Sequence, residues 1–162
     1  MSRRLSRRRL GRWLRGELDQ ASLLGLGVEA RADLLWQAYR RLEAGQVAQA
    51  ERLYQLIDTL WPGDASARLG LGACRQALGD LAGAEAAYGL ALTDRPDDAY
   101  ALANRAEVRL LTSRPEAARA DLEAARAWLA RADGPADLRE RVEALWALAD
   151  GEGSPGGFPD AR

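Results

Sequence analysis

The chain has 162 residues, 48% of them apolar and 29% charged, which suits one compact folded domain or one short repeat array. It contains no His, no Lys and one Cys, so all 23 basic residues are Arg. An imidazole base, a disulfide framework and a thiolate zinc site are thereby excluded, and binding is a better starting point than catalysis.

The charge is divided along the chain. Residues 1–15 carry seven Arg and no acid (+7), whereas residues 16–162 carry sixteen Arg and all 24 acids (−8). A signal peptide is not indicated, because no 7–15-residue apolar run succeeds the basic start MSRRLSRRRLGRWLRGELDQ. Ser6-Arg7-Arg8 resembles a twin-arginine start and lacks the same run. No stretch approaches the ~20 apolar residues of a membrane span, so a cytoplasmic protein is expected. Residues 1–16 read as a basic flexible arm. The functional alternative is a contact with nucleic acid, a membrane or an acidic partner; Trp13 and the interleaved Leu residues would suit a membrane-surface helix.

Self-alignment at a spacing of 34 gives three units, 31–64, 65–98 and 99–132. Ala38, Gly72 and Ala106 align, as do Ala50, Ala84 and Ala118, then Tyr54, Tyr88 and Leu122, and then Pro62 and Pro96. Gly45, Gly79 and Ser113 share the break within each unit. This period, with small, small, aromatic and Pro positions, is the tetratricopeptide pattern. Each unit holds two helical stretches, and helices are predicted over 31–44, 47–60, 65–78, 81–94, 99–112 and 115–131. The small residues let paired helices approach closely, and the tyrosines fill the gap toward the next unit. Pro62-Gly63-Asp64 stops one helix and caps the next, and Ser113-Arg114-Pro115-Glu116 reads as a capping box.

A short N-terminal helix is expected within 17–30, packed on the first repeat or on a second subunit. A capping helix is predicted over 136–149, within 133–150, with Leu138, Val142, Leu145 and Trp146 on its inner stripe. The Gly/Pro-rich tail 151–162 is expected to be disordered. The predicted fold is therefore an all-α tetratricopeptide-repeat α-solenoid: three helix pairs, an N-terminal helix and a C-terminal cap. One position departs from the repeat. Its eleventh residue, normally bulky and apolar, is Arg41, Arg75 and Arg109, and the fourth residue of the second unit is Arg68. Such stems can lie over the helix pair with each guanidinium paired to a rim acid; a charged ladder for a partner is the alternative.

The first helices should line the concave side of the stack. At 100° per residue their outward stripe includes Leu35, Tyr39 and Leu42, then Leu69, Ala73 and Gln76, then Tyr100, Ala103, Glu107 and Leu110. A water-facing stripe should be polar, whereas this one is largely apolar, as a groove for an extended or helical peptide would be. The other readings are that the N-terminal helix fills the groove, or that the stripe is ordinary packing.

Residues 69–79 read LGLGACRQALG. This string resembles the second repeat of the class II chaperones of bacterial type III secretion, which serve pore-forming translocator proteins. Leu24-Gly25-Leu26, LLWQAYRRLEAG over 34–45, Asp64-Ala65 and NRAEVRL over 104–110 fall at that family's spacing, so the resemblance covers about 20–132. It implies a cytoplasmic chaperone of a Gram-negative bacterium, without cofactor or metal, whose groove holds an extended translocator segment bearing a short proline/leucine motif. Family groove residues carry over onto Leu35, Tyr39, Leu42, Leu69, Ala73 and Ala103; several family aromatics are aliphatic or Ala here, as at Leu35, Leu42 and Ala103. The resemblance also implies a weak homodimer through the N-terminal helix. The competing function is a general scaffold joining soluble partners. An enzyme is not expected, since no acids form a recognisable catalytic pair and Cys74 sits at a buried-type position.

Overall fold

The repeat of small, aromatic and turn residues is realised as stacked helix pairs. The computed structural model describes residues 7–132 and 134–151. Within them lie α1 (Arg7–Leu14) and α2 (Gln20–Leu24), then the pairs α3 (Val28–Glu43) with α4 (Val47–Leu60), α5 (Ala65–Ala77) with α6 (Leu81–Asp94), and α7 (Ala99–Leu111) with α8 (Pro115–Arg131). The last helix is α9 (Ala136–Ala149). The chain is an all-α tetratricopeptide solenoid. Residues 1–6, Asp133 and the tail residues 152–162 lie outside the described residues.

The N-terminal region departs from expectation. Residues 7–14, placed in a flexible arm, are helical. Within 17–30 the expected helix is only the five-residue α2, capped by Asp19, whose side chain accepts from the Ser22 amide at 2.6 Å, and closed by Gly25 at φ +74°. The backbone therefore turns twice before Gly27, and α3 starts at Val28, ahead of the predicted residue 31.

Aspartates begin the later first helices. Asp64 accepts from the Ala67 amide at 2.8 Å, and Asp98 from the Tyr100 and Ala101 amides at 3.1 Å. Asp64 also pairs with Arg31 of α3, so one buried carboxylate caps α5 and ties it to the preceding pair. The predicted capping box at α8 does not form. Ser113 sits at φ +58°, where Gly45 and Gly79 take +72° and +82°, and its amide donates to the Leu110 carbonyl at 2.9 Å. Arg114 becomes the cap residue, without a side-chain bond to the helix. The repeat's turn geometry overrides the local sequence signal.

The packing explains the two glycines of LGLGACRQ. A Cβ on Gly70 would lie 2.3 Å from Tyr54 Cζ, and one on Gly72 would lie 2.3 Å from Tyr88 Cε1. The ring of the preceding pair and the ring of its own pair thus rest on the backbone of α5. Ala38, Ala106, Ala50, Ala84 and Ala118 are wholly buried at the other close approaches. Leu122 replaces the tyrosine in the third unit, and α9 closes that end with Leu138, Val142, Leu145 and Ala149 against α7 and α8.

The departing arginines form a ladder along the rim. Arg41 donates to Gln49 Oε1 at 2.7 Å, Arg75 to the Gly83 carbonyl at 3.2 Å, and Arg109 to the Ala117 carbonyl at 3.0 Å. Gln49, Gly83 and Ala117 are equivalent at the 34-residue spacing, so each arginine ties the first turn of its own second helix. Arg75 also lies 3.7 Å from Glu51, and Arg109 2.9 Å from Glu85, acids at equivalent places on the preceding pair. Arg68 bridges Asp58 and Asp94 at 3.1 and 2.6 Å. Buried Asp121 receives Arg105 at 2.6 Å and Arg109 at 2.8 Å. The guanidinium fork suits such double contacts, which an ammonium would not match.

The packing and the ladder each make a testable prediction. Gly72→Ala should lower stability by about 1–3 kcal/mol through the clash with Tyr88, while Gly89→Ala should raise it by up to about 1 kcal/mol. Gly89 is also helical, and the nearest atom to its added methyl would be Arg105 Nη1 at 3.8 Å. Urea denaturation of both variants checks the opposite signs. The second prediction concerns Glu85, whose carboxyl is held below its ordinary value of 4.5 by hydrogen bonds from Arg114 and then Arg109. Its contribution is therefore complete above the ordinary value and disappears as pH falls through the depressed one. Glu85→Gln should be less stable than the parent at about pH 7, with the gap closing as the pH falls below the ordinary carboxylate value in parallel urea titrations.

Candidate peptide-binding groove

Helix α3 contacts α5 and α5 contacts α7, whereas α4, α6 and α8 do not touch one another. The array therefore curves with the first helices inside, and their faces line the concave surface. That surface contains two clefts of different character.

The first, of about 420 Å³, is lined by Ala32, Leu35, Trp36 and Tyr39 of α3, Tyr54 of α4 and Ser66 of α5. Trp36 is 59% exposed and Tyr39 46% exposed, and their rings stack with centroids 5.8 Å apart and planes 28° off parallel. The Arg40 guanidinium lies 5.8 Å from the Trp36 ring centroid. Large aromatic area is thus left in water beside an apolar cleft. The Tyr54 hydroxyl at its base is pushed up to about 12 by burial, so it stays neutral and can serve as a hydrogen-bond donor.

The second cleft, of about 460 Å³, is lined by Ala73, Gln76 and Ala77 of α5, Tyr88 of α6, Asn104 and Leu111 of α7, and Arg141 of α9. A polar chain crosses it. The Tyr88 hydroxyl donates to Gln76 Oε1 at 2.8 Å, and Gln76 Nε2 donates to Glu107 Oε2 at 3.1 Å. Arg141 donates to the same Glu107 oxygen at 2.6 Å and to Asn104 Oδ1 at 2.8 Å. Burial raises the Tyr88 hydroxyl well above its ordinary value, which keeps it a donor.

The residues chosen by helical spacing are distributed unevenly. Leu35 and Tyr39 line the first cleft, Ala73 and Gln76 line the second, and Glu107 is bonded within the second. Tyr100 is 41% exposed but lines neither cleft. Leu42, Leu69 and Leu110 are half-buried and pack on the core. Ala103 is wholly buried in the cluster that α9 completes, so it offers no surface to a ligand. A helical wheel treats each helix alone and does not register α9 lying against α7. Sequence reasoning missed Trp36, Asn104, Leu111 and Arg141 as lining residues. Trp36 stands only about 40° around the helix from Ala32, which a wider stripe would have included.

Cys74 is wholly buried, and burial, reinforced by the Glu51 carboxylate, pushes its thiol up to about 11. Among the described residues no cluster of three or more His, Cys, Asp or Glu is placed to hold a metal, and no helix is long and apolar enough to cross a membrane.

A tetratricopeptide-repeat family model matches residues 41–108. No curated protein matches the chain. Among solved structures, a type III secretion complex from Aeromonas hydrophila superposes with a TM-score of 0.78 at 23% identity, covering 88% of this chain and 95% of that one. The Yersinia enterocolitica translocator chaperone SycD gives 0.74 at 24% identity, covering 80% and 96%. PcrH from Pseudomonas aeruginosa gives 0.72 at 26% identity, covering 77% and 95%. This chain has the fold of the type III secretion translocator chaperones. SycD has also been solved with a peptide of the translocator YopD, and PcrH with the chaperone-binding regions of PopD and PopB. The two clefts lie on the concave face of this translocator-chaperone fold.

In that fold Cys74 belongs to the packing between helix pairs. Iodoacetamide at about pH 8 should label folded protein at least about 100-fold more slowly than urea-unfolded protein. Rapid labelling of the folded form, read by mass spectrometry, would contradict the assignment of Cys74 to the core.

Proposed function

We propose that this protein is a cytoplasmic chaperone of a type III secretion system that holds an extended segment of a hydrophobic translocator in the groove formed by α3, α5 and α7. The three repeats of 31–132 carry the segment, and α9 seals the last repeat. The observation that supports this most directly is the stacked, water-exposed Trp36–Tyr39 pair beside Leu35, on a fold shared with proteins solved with translocator segments bound.

The work is protection, not bond-making. A translocator destined for a membrane exposes apolar segments that would otherwise associate with one another. Seating such a segment removes those groups from water, and the complex is favoured over aggregation by mass action. Each fully buried anchor contributes about 1.5–3 kcal/mol before ordering costs. Three or four anchors therefore supply about 4.5–12 kcal/mol gross, and after ordering costs are deducted the complex is of about micromolar affinity or weaker, which export can dismantle. In this reading Leu35, Trp36 and Tyr39 take an apolar anchor, while Gln76, Glu107 and Arg141 bond the segment's backbone or polar side chains and Ala73 leaves room beside them.

Trp36→Glu combined with Tyr39→Glu should weaken translocator binding by more than about tenfold without changing the melting temperature, because both side chains face water. Leu69→Glu is unsuitable, since Leu69 packs against two core clusters. Affinity capture from cells that express the secretion system, followed by mass spectrometry, should recover one or two proteins with long apolar segments, lost in the double variant. Folded soluble proteins retained equally by both forms would favour a general scaffold and refute the groove assignment.

A further inference from the structure

We propose that α1 is a membrane-surface helix that seats the protein on anionic bilayers. On the helical wheel Leu10, Trp13 and Leu14 fall within an arc about 100° wide. Arg8, Arg12 and Arg15 occupy the opposite side, and Arg7 and Arg9 flank the apolar arc at its two edges. The repeats do not use this apolar face. No residue of α1 is buried, Leu14 is 70% exposed, Leu10 43% and Trp13 36%, and among the described helices α1 packs on α2 alone. Among the described residues Glu17 lies 2.6 Å from Arg15 and 3.3 Å from Arg12. Five arginines against one glutamate leave the segment 7–17 with a charge of +4.

Both halves of this pattern point to one occupant. The arginines match an anionic surface, and Trp with Leu between them is what enters the headgroup boundary. Nucleic acid would engage the arginines and leave Trp13, Leu10 and Leu14 without a role. A protein partner would need a much larger complementary patch than a helix of eight residues, about 12 Å long, presents. A bilayer needs no shape complementarity, and it accepts a narrow apolar strip flanked by cations. The remaining chain is acidic, so an anionic membrane would attract the arm and repel the repeats, leaving the groove directed toward solvent.

The test is vesicle co-sedimentation of the full chain with phosphatidylcholine alone and with about 30% phosphatidylglycerol added. The pelleted fraction should be at least about tenfold greater with the anionic lipid and should fall several-fold as salt rises from about 0.05 to about 0.5 M. Trp13→Ser with Leu14→Ser, and separately Arg8→Gln with Arg12→Gln, should each remove at least about four-fifths of the binding while the repeats melt unchanged. Equal pelleting with both vesicles overturns the proposal. So does binding that survives the Trp13 and Leu14 substitutions, and so does duplex DNA binding, by gel shift, stronger than vesicle binding at matched salt.

Discussion

Two tyrosine rings resting on bare backbone set the geometry on which the rest of this solenoid depends. Tyr54 covers Gly70 and Tyr88 covers Gly72, so α5 is held between aromatic plates from the preceding pair and from its own partner. A methyl at either glycine would occupy the space of a ring carbon. With α5 fixed on two sides, Ala73 and Gln76 are presented to the second cleft. The Tyr88 ring also delivers its hydroxyl to Gln76, so one side chain both spaces the helices and orients a polar group of the groove.

The same repeat keeps its ladder arginines away from the apolar cleft, where Arg40 lies over the Trp36 ring. The ladder arginines sit on the opposite side of the first helices and are occupied by carbonyls and acids of the second helices. Pairs that link successive units are numerous but mostly half-exposed, so each contributes little by itself. Their value lies in holding register where the core between units is made largely of alanine. Among the described residues the two buried carboxylates are the exceptions: Asp64, which caps α5 and pairs with Arg31 of α3, and Asp121, reached by two arginines of its own unit, would each lose compensation if a cation were removed.

Where a signal occurs in several copies, the sequence disclosed the structure closely. The bounds of α4, α6, α8 and α9 match the predicted ranges because Gly, Pro and Asp recur at fixed spacing or mark a clear stop. The segment before Val28 occurs once, and there the sequence favours a flexible arm, with a helix only as the alternative, where α1 forms, and overextends α2. Ser113 shows the limit of local motifs: with no copies to compare it reads as a cap, but aligned with Gly45 and Gly79 it must be the turn. For the groove, spacing located Leu35, Tyr39, Ala73 and Gln76. It could not show that Ala103 is wholly buried, or that Arg141 of α9 bonds Glu107 of α7. These are contacts between elements far apart in sequence, and one helix's periodicity is silent about them.

The helices that form the concave wall are unequally anchored. α7 buries Ala99, Ala101, Leu102, Ala103, Ala106 and Val108, whereas α3, longer than α7, buries Ala38 alone. In a linear array, opening begins where the coupling to neighbours is least. The part of the wall carrying Trp36 and Tyr39 is therefore the less firmly held, and the end closed by α9 the more firmly held. A wall of this kind joins one firm side and one less firmly held side in a common frame.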